Sequence, residues 1–253
     1  MSLCRTHFEE DVHRKIRESL RQSGLFARGA RVALGLDGKI GGIVLAFFLK
    51  GLFIRRRDID LLAVIIDDGR EGNGTPAEAI DAAKMLEISY TIRKLPSQSG
   101  AASENPARPC PAMKVEQLFA GAEELGAGIL ATGHNLDDEA VEAFVNFLRG
   151  GPNGLSRDES GTGKQGKIPW IKPLRRVPER EVRLYALGHG LYRSRNHERP
   201  PEDNMIRAAK RQLNDFDSRH PGTKYSLLRS LEKLEACRGG AILTAKPLSD
   251  DAK

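Results

Sequence analysis

The chain has 253 residues, of which 40% are hydrophobic and 29% charged, with a net charge of +6. That length suffices for one full hydrophobic core and an appendage. The longest apolar stretch, residues 43–54, is interrupted by Lys50 and is too short to span a bilayer. Nothing resembles a signal peptide, and three widely separated cysteines (Cys4, Cys110, Cys237) do not read as a disulfide framework, so we expect a cytoplasmic protein with no membrane partner.

The charge is unevenly placed. Residues 1–150 hold 19 Lys+Arg against 21 Asp+Glu, whereas residues 151–253 hold 21 against 13. The C-terminal surplus would attract a polyanion or serve as a solvated face, and charge alone leaves these two readings even.

Residues 8–23 place Phe8, Val12, Ile16 and Leu20 four apart, one helical stripe with Gly24 as a stop. Residues 31–49 (RVALGLDGKIGGIVLAFFL) then read as a buried strand, a tight turn and a buried helix. Glycines 35, 38, 41 and 42 let the backbone turn and bring N–H groups near a ligand at the positive end of that helix, where phosphate is the natural guest. A Walker loop is excluded, because position 33 is Ala and Lys39 is followed by Ile40. Asp37 stands where a dinucleotide fingerprint needs Gly.

Residues 60–66 (DLLAVII) predict a parallel strand covered on both faces, ending at Asp67-Asp68-Gly69. A helix over 76–86, a strand over 89–94 and a Pro- and Ser-rich loop over 95–109 follow. After Pro109-Cys110-Pro111-Ala112-Met113 come a helix over 114–125 and a strand over 128–132. Next is Gly133-His134-Asn135-Leu136-Asp137-Asp138-Glu139, at the C-terminal end of a strand, where open α/β sheets bind ligands. A His and two carboxylates there could hold Mg²⁺ or orient a substrate. Equally, Asn135 is a good N-cap, and acidic residues in a first turn suit the helix dipole with no ligand at all.

Residues 150–167 are polar and Gly-rich and read as a flexible surface segment. Lys172-Pro-Leu-Arg175 precedes a helix beginning near Pro178, and a basic helix over 203–219 carries Arg207, Lys210 and Arg211. His220-Pro-Gly-Thr-Lys224 opens a final helix.

Together these segments resemble the PP-loop ATP pyrophosphatases, in particular the tRNA 2-thiolation enzymes. The longest matches are Ala131-Thr-Gly-His-Asn-Leu-Asp-Asp-Glu139, Asn146-Phe-Leu-Arg-Gly150, Lys172-Pro-Leu-Arg175 and His220-Pro-Gly-Thr-Lys224. The family's Ser-Gly-Gly-Lys-Asp-Ser loop falls on Asp37-Gly-Lys-Ile-Gly-Gly42, where only Gly38 survives a gapless register; sliding by one residue recovers Gly38-Lys39 but still loses the Ser and Asp positions. Its Pro-Cys-x-x-Cys falls on Pro109 to Met113, so Cys110 matches the first thiol and Met113 replaces the second. Its third thiol, in Glu-Cys-Pro, falls on Glu198-Arg199-Pro200. Cys4 and His7 look like half of the family's N-terminal zinc finger, and Cys237 stands where a C-terminal zinc ribbon would begin.

The resemblance implies an α/β fold, a parallel sheet covered by helices on both faces (adenine nucleotide α-hydrolase-like), with a helical basic C-terminal region. We divide the chain into an N-terminal helix (1–30), a nucleotide-binding core (31–190) and the basic region (191–253). It implies Gly35, Leu36, Gly38, Lys39, Gly41, Gly42, Asp67, Gly133, His134 and Arg149 for the nucleotide, and Cys110 and Asp137 for the chemistry. Lys172, Arg175, Arg207, Lys210 and Arg211 are assigned to RNA. ATP with Mg²⁺ is the admitted cofactor. An iron–sulfur cluster and zinc are not expected, because ligands are missing. Cys110 reads either as a lone reactive thiol or as a small buried residue.

In an intact relative, ATP would adenylate the C2 oxygen of a tRNA uridine and sulfur would displace AMP. Here we expect that catalysis to be impaired or lost. The alternative is a non-catalytic paralogue that binds tRNA or pairs with an intact thiolase; a weaker third reading is another nucleotide substrate. A sulfur carrier is an expected partner, and a homodimer is allowed.

Overall fold

The computed structural model describes residues 4–26, 28–67, 76–95, 111–150, 168–191 and 204–241, with side chains except at 111, 112 and 235–241. The chain falls into two compact units. The first comprises Met1–Asp138 and Asp158–Asp203, the second Glu139–Arg157 and Asn204–Lys253.

The first unit is built on five parallel strands in the order β3-β2-β1-β4-β5: β1 (Arg31–Leu36), β2 (Asp60–Asp67), β3 (Ser89–Lys94), β4 (Ile129–Thr132) and β5 (Trp170–Ile171). Alternate residues face opposite sides of the sheet, as the two-residue period of a strand requires. Val32, Leu34, Leu36, Ala63, Ile65, Ile129 and Ala131 enter one core. Ala33, Val64, Ile66 and Leu130 enter the other.

The first core is covered by α1 (Arg5–Ser23), α2 (Ile40–Phe53), α3 (Pro76–Met85) and α6 (Glu179–Gly188), the second by α4 (Pro111–Glu124). Val12, Ile16 and Leu20 form the buried stripe of α1, which ends at Gly24 with φ 64°. The helix starts at Arg5, earlier than the apolar spacing indicates, because Phe8 N already bonds to Cys4 O. Lys15 Nζ reaches Glu181 at 2.7 Å and ties α1 to α6. Helix α2 is apolar nearly all round, and eight of its fourteen residues are buried, which suits a helix sandwiched between sheet and helices.

Strand β1 is central. From its end the chain moves to β2 and β3 on one side, while β4 and β5 lie on the other. The loops after β1 and β4 therefore flank the topological switch point, the crevice where open α/β sheets take ligands.

The second unit contains α5 (Leu136–Leu148) from Glu139 onward, α7 (Asn204–Arg219) and α8 (Thr223–Ala241). Its core gathers Ala140, Val141, Val145, Ala209 and Leu213, with Phe144, Met205, Ile206 and Leu227 packed around them. Among the described residues no helix is long and apolar enough to cross a membrane.

Candidate functional site

The loop after β1 is short. Gly38 takes φ 75°, a left-handed conformation suited to glycine, and Lys39 is the extended N-cap of α2. Asp37 Oδ1 accepts the Lys39 N–H at 3.2 Å, and Asp37 Oδ2 lies 3.4 Å from Lys39 Nζ. Burial pushes the Asp37 carboxyl up. The charge and backbone N–H of Lys39, followed by His134 and Lys114, pull it down further, so it ends below the usual carboxylate range.

Glycines set how closely the layers approach. Gly35 pairs with Thr132 across β1 and β4, and a Cβ there would meet Thr132 Cγ2 at 3.0 Å and Leu118 at 3.1 Å. A Cβ on Gly41 would lie 2.2 Å from the Gly133 carbonyl oxygen, so the first turn of α2 and the loop after β4 touch backbone to backbone. Gly42 has less acute limits, with Leu36 Cδ2 at 3.3 Å, and Leu36 itself is buried in the core.

The loop after β4 is a cap. Asn135 Oδ1 accepts from Asp137 N (2.9 Å) and Asp138 N (3.1 Å), while Asp138 Oδ2 accepts from Asn135 N (3.0 Å), a reciprocal capping box for α5. Asp137 is 6% exposed, and its Oδ2 accepts the Glu179 N–H at 2.7 Å at the start of α6. Of the two roles open to these carboxylates from the sequence, the geometry displays capping. Among the described residues no group of three or more His, Cys, Asp and Glu could hold a metal.

His134 points into an aromatic cluster that the sequence did not single out. Its Nδ1 lies 2.8 Å from Thr132 Oγ1, which also accepts the Trp170 indole N–H at 2.8 Å. The His134 and Trp170 rings meet edge-on at 5.8 Å, and Lys172 Nζ sits 4.7 Å above the Trp170 ring. Lys172 is 8% exposed, which sets it apart from a solvent-facing phosphate contact. The signal available in sequence was Trp170, the sole tryptophan, two residues before Lys172. A two-residue strand leaves no periodicity to read.

The remaining assignments are dispersed. Asp67 is the half-buried last residue of β2, and Arg175 is half-buried in the turn after β5. Arg149, exposed, follows α5 in the second unit. Arg207 and Arg211 are exposed and Lys210 half-buried, on one side of α7 opposite Ala209 and Leu213. Cys110, Asp68, Arg199, the 96–109 loop and the 151–167 segment lie outside the described residues. Cys4 Sγ lies 3.1 Å from His7 Nδ1.

No protein-family profile matches the chain. It is 30% identical to the tRNA 2-thiolation protein NcsA of Haloferax volcanii, over 92% of this chain and 80% of that protein. The chain belongs to the tRNA 2-thiolation protein family. It also shares 32% identity with the cytoplasmic tRNA 2-thiolation protein 1 of Caenorhabditis briggsae, over 94% of this chain and 67% of the relative. The U34-tRNA thiolase NcsA from Methanococcus maripaludis, solved with its [4Fe-4S] cluster, superposes with TM-score 0.81 at 26% identity, covering 93% of this thiolation-family chain and 81% of the thiolase. The α/β fold expected from the resemblance is thereby shown.

That thiolase also corrects one expectation. The substitutions at Met113 and Arg199 argue from sequence against an iron–sulfur cluster, yet a member of the same fold and family carries one. Motif alignment counts ligands by position, whereas a cluster selects thiolates by their proximity in space, which spacing does not decide. Cys110 and Arg199 are outside the described residues.

Proposed function

We propose that this chain binds tRNA in the thiolation pathway and that its own adenylation of a uridine by ATP is strongly attenuated. The observation that carries this reading is the bond from Glu179 N to Asp137 Oδ2, which engages a buried carboxylate of the loop after β4 with the start of a helix. The turn after β1 supports it: no side chain fits at Gly41, where the family loop supplies an Asp, and Asp37 brings negative charge to the phosphate side. Departure of pyrophosphate needs positioned positive charge or a metal, and a carboxylate in the cradle opposes it.

What remains suits binding. The loop retains Gly38 and the N-terminus of α2, Lys39 and Lys114 supply positive charge, and the half-buried Trp170 lies edge-on to His134. Arg207, Lys210 and Arg211 on α7 provide a separate basic face for the phosphodiester backbone. The name of the worm relative places it in the cytoplasm, and the same compartment fits this chain. A sulfur-carrier protein or an intact thiolase is the partner that would complete the pathway.

The test joins two assays on the purified chain: retention of tRNA across a salt series, and transfer of labelled AMP from ATP to tRNA. Salt-sensitive retention with AMP transfer at background is expected. Efficient tRNA-dependent AMP transfer would overturn the attenuation, and absence of tRNA retention at low salt would overturn the binding role.

A further inference from the structure

The turn after β1 holds a carboxylate where a phosphate cradle would gain nothing from one. Asp37 Oδ1 takes the Lys39 N–H at 3.2 Å and Oδ2 lies 3.4 Å from Lys39 Nζ. The same carboxylate also feels the charges of His134 and Lys114. The Lys39 N–H and ammonium, at the positive end of a buried helix, are the groups an incoming phosphate oxygen would use. Helix α2 has no side-chain cap of its own and no acidic residue in its first turn, so Asp37 supplies the negative charge at this helix end.

We propose that Asp37 is a built-in anion of the loop, a specificity-determining residue that holds the place of a phosphate oxygen and turns away polyphosphate chains. This rests on reading the 37–42 turn as the family's phosphate loop. A triphosphate entering the crevice must break the Asp37–Lys39 pair and then sit beside an uncompensated carboxylate. A ligand carrying a single phosphate meets less repulsion, since fewer of its charges reach the turn. The backbone contact between Gly41 and Gly133 closes the alternative of placing a metal-holding carboxylate one helical turn further on.

The test is isothermal titration of the full chain and of Asp37→Asn and Asp37→Ser with ATP plus Mg²⁺ and with AMP, at low ionic strength. Asp37 keeps 36% of its side-chain exposure, so both variants should fold, which a thermal melt verifies. Both variants are expected to bind ATP at least about tenfold more tightly than wild type, with AMP affinity nearly unchanged. Adding Lys39→Ala to Asp37→Ser should cancel the gain. If wild type binds ATP as tightly as the variants, or AMP gains as much as ATP, the role of Asp37 is overturned while the turn remains a nucleotide site. If none of the three proteins binds ATP, both the role of Asp37 and the reading of the turn as a phosphate loop fall.

Discussion

Gly41 in the first turn of α2 and Gly133 after β4 meet so closely that a Cβ on the first would stand 2.2 Å from the carbonyl oxygen of the second. Two effects oppose each other at this position. Helix propensity alone says that Gly41→Ala should stabilise by about 1 kcal/mol. The collision is with backbone, which cannot swing aside as a side-chain tip can, and overpacking of this kind costs about 1–3 kcal/mol. We expect the collision to win, so Gly41→Ala lowers the unfolding free energy in a urea titration, and Gly41→Asp, which restores the family residue, lowers it at least as much. A stabilised Gly41→Ala protein would show that the two backbones are not in contact.

Asp137 separates a capping role from a catalytic one. Removing a buried acceptor from the start of α6 should cost about 1–3 kcal/mol in Asp137→Ala. Asp137→Asn keeps an oxygen for the Glu179 N–H and should lose less than half as much. Equal melting temperatures for wild type and Asp137→Ala would contradict the cap.

His13 gives the fold a pH dependence of defined sign. It lies between α1, α2 and α6, with Nε2 2.9 Å from the Tyr185 hydroxyl and its ring edge-on to Phe48. Burial pushes its pKa below the ordinary 6.5 and Arg17 adds to this, while Glu9 opposes it and His189 again lowers it. Burial likewise pushes the Tyr185 hydroxyl up to about 12, so it stays neutral throughout. The unfolded chain therefore binds a proton at His13 before the folded one does. The associated stability is complete above pH 6.5 and is lost as pH falls through the folded value. Melting temperatures measured from pH 7 to pH 5 should fall less steeply in His13→Gln than in wild type; parallel curves would show that His13 is not the linked group.

On α7, Arg207, Lys210 and Arg211 are read as phosphate ligands. Replacing all three by Gln should weaken tRNA retention and reduce the slope of log affinity against log salt by roughly one for each phosphate no longer neutralised. An unchanged slope would make this face a solvated one, the other reading that the charge distribution allows.

The sheet was legible because three of its strands, β1, β2 and β4, are apolar runs bounded by turn residues, and their burial patterns match those runs; β3 (SYTIRK) instead alternates exposed and half-buried residues along its second half. Strand β5 was not, since Trp170 and Ile171 are too few to show alternation. The phosphate turn could be recognised from its glycines, but what Gly41 faces is set by a residue 92 positions away, and no local pattern encodes that distance. For Asp137 the sequence allowed both ligand and cap. The contact that the structure adds, Asp137 Oδ2 with the Glu179 N–H, is to the start of α6 and not to its own helix, and no local pattern encodes it. The link from Trp170 through Thr132 to His134 is likewise tertiary, joining three residues whose spacing carries no signal.

The most direct measurement is release of pyrophosphate from ATP by the purified chain in a single turnover, with and without tRNA under conditions where the tRNA is shown to be bound. The capped Asp137 and the anionic turn predict release at the no-enzyme rate in both cases. A burst of pyrophosphate that appears only when tRNA is present would contradict the account.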